Sequence, residues 1–220
     1  MPSRGILFLA VPDGAVADMA ARIATMRPPA GLSVVHVSGA LGLDVLSPLR
    51  SVGSFHPLQS FPFPRPAEAF RGITIAVDAS TPALLRRLAA LARRLGARPR
   101  HVRDGERVLY HAAAVSASNF VDVVIAEAVR TLGRIGWSEK DATAALLPLV
   151  EGAVDNIRRR GAVKALTGPI RRGDAATVSR HLEAVDNADL YRMLGLVALE
   201  IAIEAGLDPA AAERTKKALS

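Results

Sequence analysis

In the first hundred residues, short continuous apolar runs alternate with stretches of helical period. Residues 6–11 form one such run, as expected of a strand covered on both faces. A helix follows, with Val16, Met19, Ala20 and Ile23 on one face and Asp13 placed to cap it; Pro28-Pro29 ends it. The pattern predicts strands over 32–37, 52–56, 73–77 and 98–102. A short helix is expected over 41–49, and another over 82–95 with Thr81 as cap and Gly96 as stop. Residues 57–71 hold four prolines (Pro57, Pro62, Pro64, Pro66) and read as an ordered loop.

After Asp104 the strand signals cease. One long helix is expected over 106–135, and Ser138 caps a second reaching about residue 159. Shorter helices follow near 162–166, 174–185, 188–205 and 209–218. The fold class is therefore α/β: a parallel sheet over 1–103, followed by an all-helical domain over 104–220.

Composition narrows the chemistry. The 220 residues contain no cysteine, which excludes disulfides, thiolate catalysis and cysteine-ligated zinc. No continuous apolar run approaches the roughly 18–20 residues that cross a bilayer, and 6–11 is too short for a signal peptide core, so a cytoplasmic protein is expected. The five histidines are scattered in sequence, and no metal site is expected. The net charge of +7 comes mainly from dispersed arginines, and aromatics are 4%, so nucleic acid is not the expected partner.

Polar groups interrupt the apolar pattern at five places. Val11-Pro12-Asp13 and Ser38-Gly39-Ala40 follow buried strands, where open parallel sheets bind ligands; ordinary strand–helix turns have the same composition. His56, followed by Gln59, ends a third strand and is either an acid, base or hydrogen-bond donor, or a histidine satisfied by loop backbone. On the long helix, His111, Ser118 and Asp122 fall within about 40° of one another. Tyr110, Ser116 and Asn119 lie nearby, so the group is either a site or a polar seam between helices. Thr167, Arg171 and Arg172 flank a Gly-Pro turn before Asp174, a helix cap; the arginines either hold a phosphate or carboxylate or are simply solvated.

In order, these segments read A-V-P-D, H-V-S-G-A-L-G, G-S-F-H-P-L-Q-S-F, Y-H-A-A-A-V-S-A-S-N, L-L-P-L-V, L-T-G-P-I-R-R-G-D and a later His181-Leu182. Over nearly its whole length the chain resembles the DUF2520 family of oxidoreductases. These join a Rossmann-like domain to a helical domain of the 6-phosphogluconate dehydrogenase C-terminal type, and are distant relatives of pyrroline-5-carboxylate reductase and ketopantoate reductase. The resemblance implies an NAD(P)-binding domain, a helical domain that often dimerises, and reduction of a small carbonyl or imine compound, such as a ketopantoate-like oxo acid, between the two. It places Val11, Pro12, Asp13, Ser38, Gly39 and Ala40 on the cofactor. His111, Asn119, Ser116 and His56 become catalytic candidates, and Gln59, Tyr110, Thr167 and Arg172 substrate-binding candidates.

Two departures qualify that expectation. The relatives' lysine on the long helix, with asparagine four residues on, is replaced by Val115 before Asn119, so proton supply falls to His111, His56 or water. No G-x-G-x-x-G occurs in the sequence. By this reading the first mononucleotide half, roughly 60–80 residues, lies outside the chain. The strand at 6–11 then becomes an open apolar edge, and dinucleotide binding by this polypeptide is expected to be weak or absent. The alternative reading is a non-enzymatic helical dimer or small-anion-binding protein.

Overall fold

The computed structural model describes residues 3–220. They form two compact units, 1–121 and 122–220. The first holds a five-stranded sheet in sequential order: β1 (Arg4–Leu9), β2 (Gly31–His36), β3 (Val52–Pro57), β4 (Thr74–Ala79) and β5 (Arg98–His101). β1, β2 and β3 run parallel, with Leu9 opposite His36 and His36 opposite Ser54. β4 and β5 are also parallel to each other.

β3 and β4 are antiparallel, with Phe55 opposite Val77, which corrects the expected all-parallel sheet. The reason lies in the connection. A parallel pair needs a crossover, usually helical. Residues 58–73 offer a proline-rich loop with one 3-10 turn (Ala67–Phe70), and the chain reverses.

The two faces of the sheet bury different side chains, as the period of two requires. Val35, Phe55, Ile75 and Val77 pack against Leu84, Leu88 and Ala92 of α2 (Pro82–Arg94). Leu9, Val34 and Val52 pack against Val16, Ala20 and Ile23 of α1 (Val16–Thr25). Thr81 caps α2 by accepting a hydrogen bond from the Leu84 amide at 3.2 Å. Asp13 does not cap α1; it sits in a 3-10 turn (Asp13–Ala15) and its carboxylate is engaged elsewhere. The helix expected over 41–49 is one 3-10 turn (Leu43–Leu46), confined between Gly42 and Pro48. No strand pairs with the outer side of β1 among the described residues.

The expected single helix over 106–135 is two, α3 (Arg107–Ala117) and α4 (Asn119–Gly133). Ser116 and Ser118 donate to the carbonyls of Ala112 and Ala114, four residues back, at 3.0 and 3.1 Å. Such back-bonding bends helices, and Ser118 leaves helical geometry at φ −129° and ψ −74°. Within residues 104–133 an 18-residue window reaches a mean hydropathy of 1.5, long and apolar enough to cross a membrane by length and composition, and none of that window is buried. A search for continuous runs misses it because Ser116, Asn119 and Asp122 interrupt the run without lowering the average much.

The second unit continues α4 with α5 (Glu139–Arg160), α6 (Ala162–Ala165), α7 (Gly168–Arg172), α8 (Ala175–Ala184), α9 (Ala188–Glu204) and α10 (Pro209–Leu219). Ser138, Asp174, Asn187 and Asp208 cap α5, α8, α9 and α10. Ile170, Val178, Leu199, Ala212 and Leu219 form its core.

Candidate functional site

Because Leu9 lies opposite His36, the turns leaving β1 and β2 emerge side by side. A hydrogen bond joins them: the Ser38 hydroxyl donates to the Asp13 carboxylate at 2.8 Å. The same Ser38 oxygen accepts from the Ala40 and Leu41 amides at 3.2 and 3.1 Å, which holds the turn. Val11, Pro12, Asp13, Ser38, Gly39 and Ala40 are thus brought together at the carboxyl ends of two parallel strands.

Gly39 is the closest approach. A Cβ there would lie 2.7 Å from Nδ1 of His111, and 2.9 Å from both Cε1 and Nε2 of His56. Any side chain would collide with both rings, so glycine lets the backbone reach them. His56 comes from the end of β3 and His111 from α3. Their ring centroids are 6.3 Å apart and both rings face the Gly39 α-carbon. Tyr110 completes the group, its hydroxyl 2.7 Å from Nδ1 of His56.

Beneath these rings lies Arg107, fully buried in the first turn of α3. It donates to the Ser54 hydroxyl of β3 and lies 3.4 Å from the Asp104 carboxylate. Asp104 also accepts from the Leu43 amide at 3.2 and 3.1 Å, tying the loop after β2 to the start of α3. His36, also fully buried, is 3.2 Å from the Gly42 carbonyl. Since a carbonyl only accepts, Nε2 carries the proton and Nδ1 is bare. Nδ1 of His36, Nδ1 of His111 and Nη1 of Arg107 are buried with no hydrogen-bond partner in this structure. Buried polar atoms normally have one, so each of these exceptions calls for a physical explanation.

The electrostatics follow from this packing. Burial, then His111 and Arg107, pushes His56 down to about 4. Burial and Arg107 lower His36 as well. Burial pushes the Tyr110 phenol up to about 12. At neutral pH the His56–Tyr110 pair is therefore uncharged and acts through hydrogen bonds.

Other expected residues do not join the group. Ser116 bonds within its own helix, and Oδ1 of Asn119 lies 3.1 Å from the Ser118 hydroxyl, itself turned to the Ala114 carbonyl. The stripe of His111, Ser118 and Asp122 is interrupted by the break at Ser118. Gln59 accepts from the Ser60 amide at 2.9 Å and is exposed. Thr167 and Arg172 belong to the second unit, where they line a separate cavity. Sequence reasoning missed Arg107, Asp104, Ser54 and His36. The signals were a histidine inside an otherwise apolar strand, and an aspartate three residues before an arginine that opens an apolar helix.

The site can be compared with known proteins. The domain of unknown function DUF2520 matches residues 73–198, and a Rossmann-like domain matches residues 3–62. No curated protein matches the chain. Protein TM1727 from Thermotoga maritima superposes with a TM-score of 0.78 at 24% identity, over 93% of this chain and 80% of that one. Protein BF3122 from Bacteroides fragilis, provisionally named an NADP oxidoreductase, gives 0.76 at 24% identity, over 88% of this chain and 74% of that one. Pyrroline carboxylate reductase from Plasmodium falciparum, solved with NADP bound, gives 0.56 at 14% identity, over 98% of this chain and 77% of that one. These likenesses are of fold. With the DUF2520 match spanning more than half of its length, the chain belongs to the DUF2520 family.

Proposed function

We propose that the chain supplies the nicotinamide and substrate end of an NAD(P)H-dependent oxidoreductase that reduces a small carbonyl or imine compound. The observation that carries this reading is the convergence of His56 and His111 on Gly39, at the carboxyl end of β2. The fold shared with an NADP-bound reductase supports it.

The residues present fit the nicotinamide end of such a cofactor. The clasped turns of Val11-Pro12-Asp13 and Ser38-Gly39-Ala40 place backbone beside the two imidazoles, with Pro12 and Asp13 exposed at the rim and Ser38 and Gly39 buried beneath. They do not supply a glycine-rich grip for the pyrophosphate, since G-x-G-x-x-G is absent from the sequence. A bound reduced nicotinamide supplies a hydride. The protein's part is then to orient the substrate and manage one proton. With Tyr110 donating to Nδ1 of His56, Nε2–H of His56 is left to hydrogen-bond the substrate oxygen or nitrogen. His56 stays neutral down to about pH 4, so it acts as a hydrogen-bond donor, and the proton is assigned to the other imidazole, His111.

The same reading includes a homodimer and a cytoplasmic location. Val123 and Val124 of α4, Leu147 and Leu149 of α5, and Met193 and Val197 of α9 are all exposed. Val124 of α4, Leu146 of α5 and Leu194 of α9 line one groove, and apolar surface of this kind marks an interface more often than it stays bare on a monomer. A second copy is the occupant the family resemblance implies.

Reduced nicotinamide mononucleotide, which lacks the pyrophosphate, tests the site directly. Its titration should shift the NMR signals of Ser38, Gly39 and Ala40 and of the His56 and His111 rings. Oxidation of the same reduced mononucleotide at saturating concentration, in the presence of small oxo acids and cyclic imines, should then be lost in His111→Gln. Shifts confined to other residues overturn the assignment.

A further inference from the structure

We propose that the helical unit carries an anion site of its own, built for a phosphoryl group. A cavity of about 610 Å³ opens where α5, α6 and α7 meet the turn between α9 and α10, and Arg160, Lys164, Thr167, Arg171, Arg172 and Asp208 line it. Four of these six side chains are cationic and one is acidic.

None of the four cations has a carboxylate within 4 Å among the described residues. The contrast within one run is informative. Arg158 and Arg159 both pair with Asp155, at 3.3 and 2.7 Å, whereas Arg160 does not. The single acid, Asp208, is committed: its carboxylate accepts from the Ala211 amide at 2.9 Å and caps α10. Arg171 is partly anchored, with Nη2 donating to the Ala205 carbonyl at 3.0 Å. Thr167 precedes α7, but its side chain makes no capping hydrogen bond, so its hydroxyl is available to a ligand.

Cations in the last turns of helices are stabilised by the backbone carbonyls there. That explains Arg160, Lys164 and Arg172 one at a time. It does not explain their meeting in one hollow, where like charges repel and the field of each adds to the others. An anion removes the repulsion. A phosphoryl group matches the donors better than a carboxylate, because it carries up to two charges at neutral pH and presents three oxygens to guanidinium forks. The proposal uses only residues of the second unit and no nicotinamide, so its test is read without the redox reaction.

Calorimetric titration of the 220-residue chain with inorganic phosphate at pH 7.5 in low-chloride buffer tests it, with acetate in parallel. We expect saturable phosphate binding at least tenfold tighter than acetate. It should weaken at least tenfold in Lys164→Ala/Arg172→Ala, two exposed positions whose loss leaves the melting transition in place. Arg160→Ala, at the exposed end of α5, gives a second reading should the double variant not fold. Absence of saturable phosphate binding, equal affinity for acetate, or unchanged binding in these variants overturns the proposal.

Discussion

Nδ1 of His56 lies 2.7 Å from the hydroxyl of Tyr110, across 54 residues of chain. One residue ends a strand and the other belongs to the second turn of a helix. Their contact fixes α3 against β3 and decides which face of His56 is left for a ligand. The contact forms between two uncharged groups, because burial keeps the imidazole deprotonated and the phenol protonated over the whole physiological range.

That charge state gives the protein an acid-sensitive fold. The unfolded chain takes up a proton on His56 near pH 6.5, whereas the folded chain resists until about pH 4. The stabilisation is complete above 6.5 and is lost progressively as pH falls toward 4. His36 is shifted in the same direction and adds to the effect. Urea midpoints at pH 7.5, 5.5 and 4.5 should fall across this window, and His56→Gln should flatten part of the decline. A midpoint that does not move with pH in the unmodified chain contradicts the burial of these rings.

Gly39→Ala should damage the site from its centre. The new methyl group meets two imidazole rings at 2.7 and 2.9 Å. Neither ring swings away without breaking its own packing, so the cost is roughly 1–3 kcal/mol, as for overpacked cores. Thermal unfolding reads the loss, and the ring proton signals of His56 and His111 should move together. A fully stable variant with unmoved histidine signals counts against the packing described.

The Arg107–Asp104 pair predicts an order of effects. Asp104→Asn removes the carboxylate paired with a fully buried guanidinium and should cost about 3 kcal/mol. Arg107→Met leaves Asp104 half-exposed, where water solvates it, and should cost less than about 2 kcal/mol. Chemical denaturation of the two variants checks the order. The reverse order means that Arg107 is not dry.

The exposed apolar faces of α4, α5 and α9 lead to an expectation for assembly. Light scattering coupled to size exclusion should give twice the mass of one chain. Val197→Glu, at a half-exposed position of α9, should return it to the single-chain mass without unfolding it. A monomer before substitution removes the basis for this pairing.

Much of the scaffold could be read from residue order. All five strands fall within two residues or so of the expected runs, and Thr81, Ser138 and Asp174 cap the helices expected of them. Apolar period and hydroxyl caps are local signals, and local signals survive folding. Strand direction is not local. Nothing within 52–57 or 74–79 tells β3 and β4 to run oppositely; the lack of a helix between them does. The site divides in the same way. His56, His111 and Gly39 stood out because each interrupts an apolar stretch. Arg107 did not, because an arginine in the first turn of a helix resembles any solvated charge until Ser54 and Asp104 are seen around it.

The flank of β1 that no strand among the described residues pairs with has a practical corollary. A row of amides and carbonyls along Arg4–Leu9, with Phe8 partly uncovered, is a template on which another molecule's backbone can zip. Concentrated solutions of this polypeptide should turn cloudy over time by edge-to-edge growth. A charged gatekeeper such as Phe8→Lys, or any chain that lies along that flank, should keep them clear.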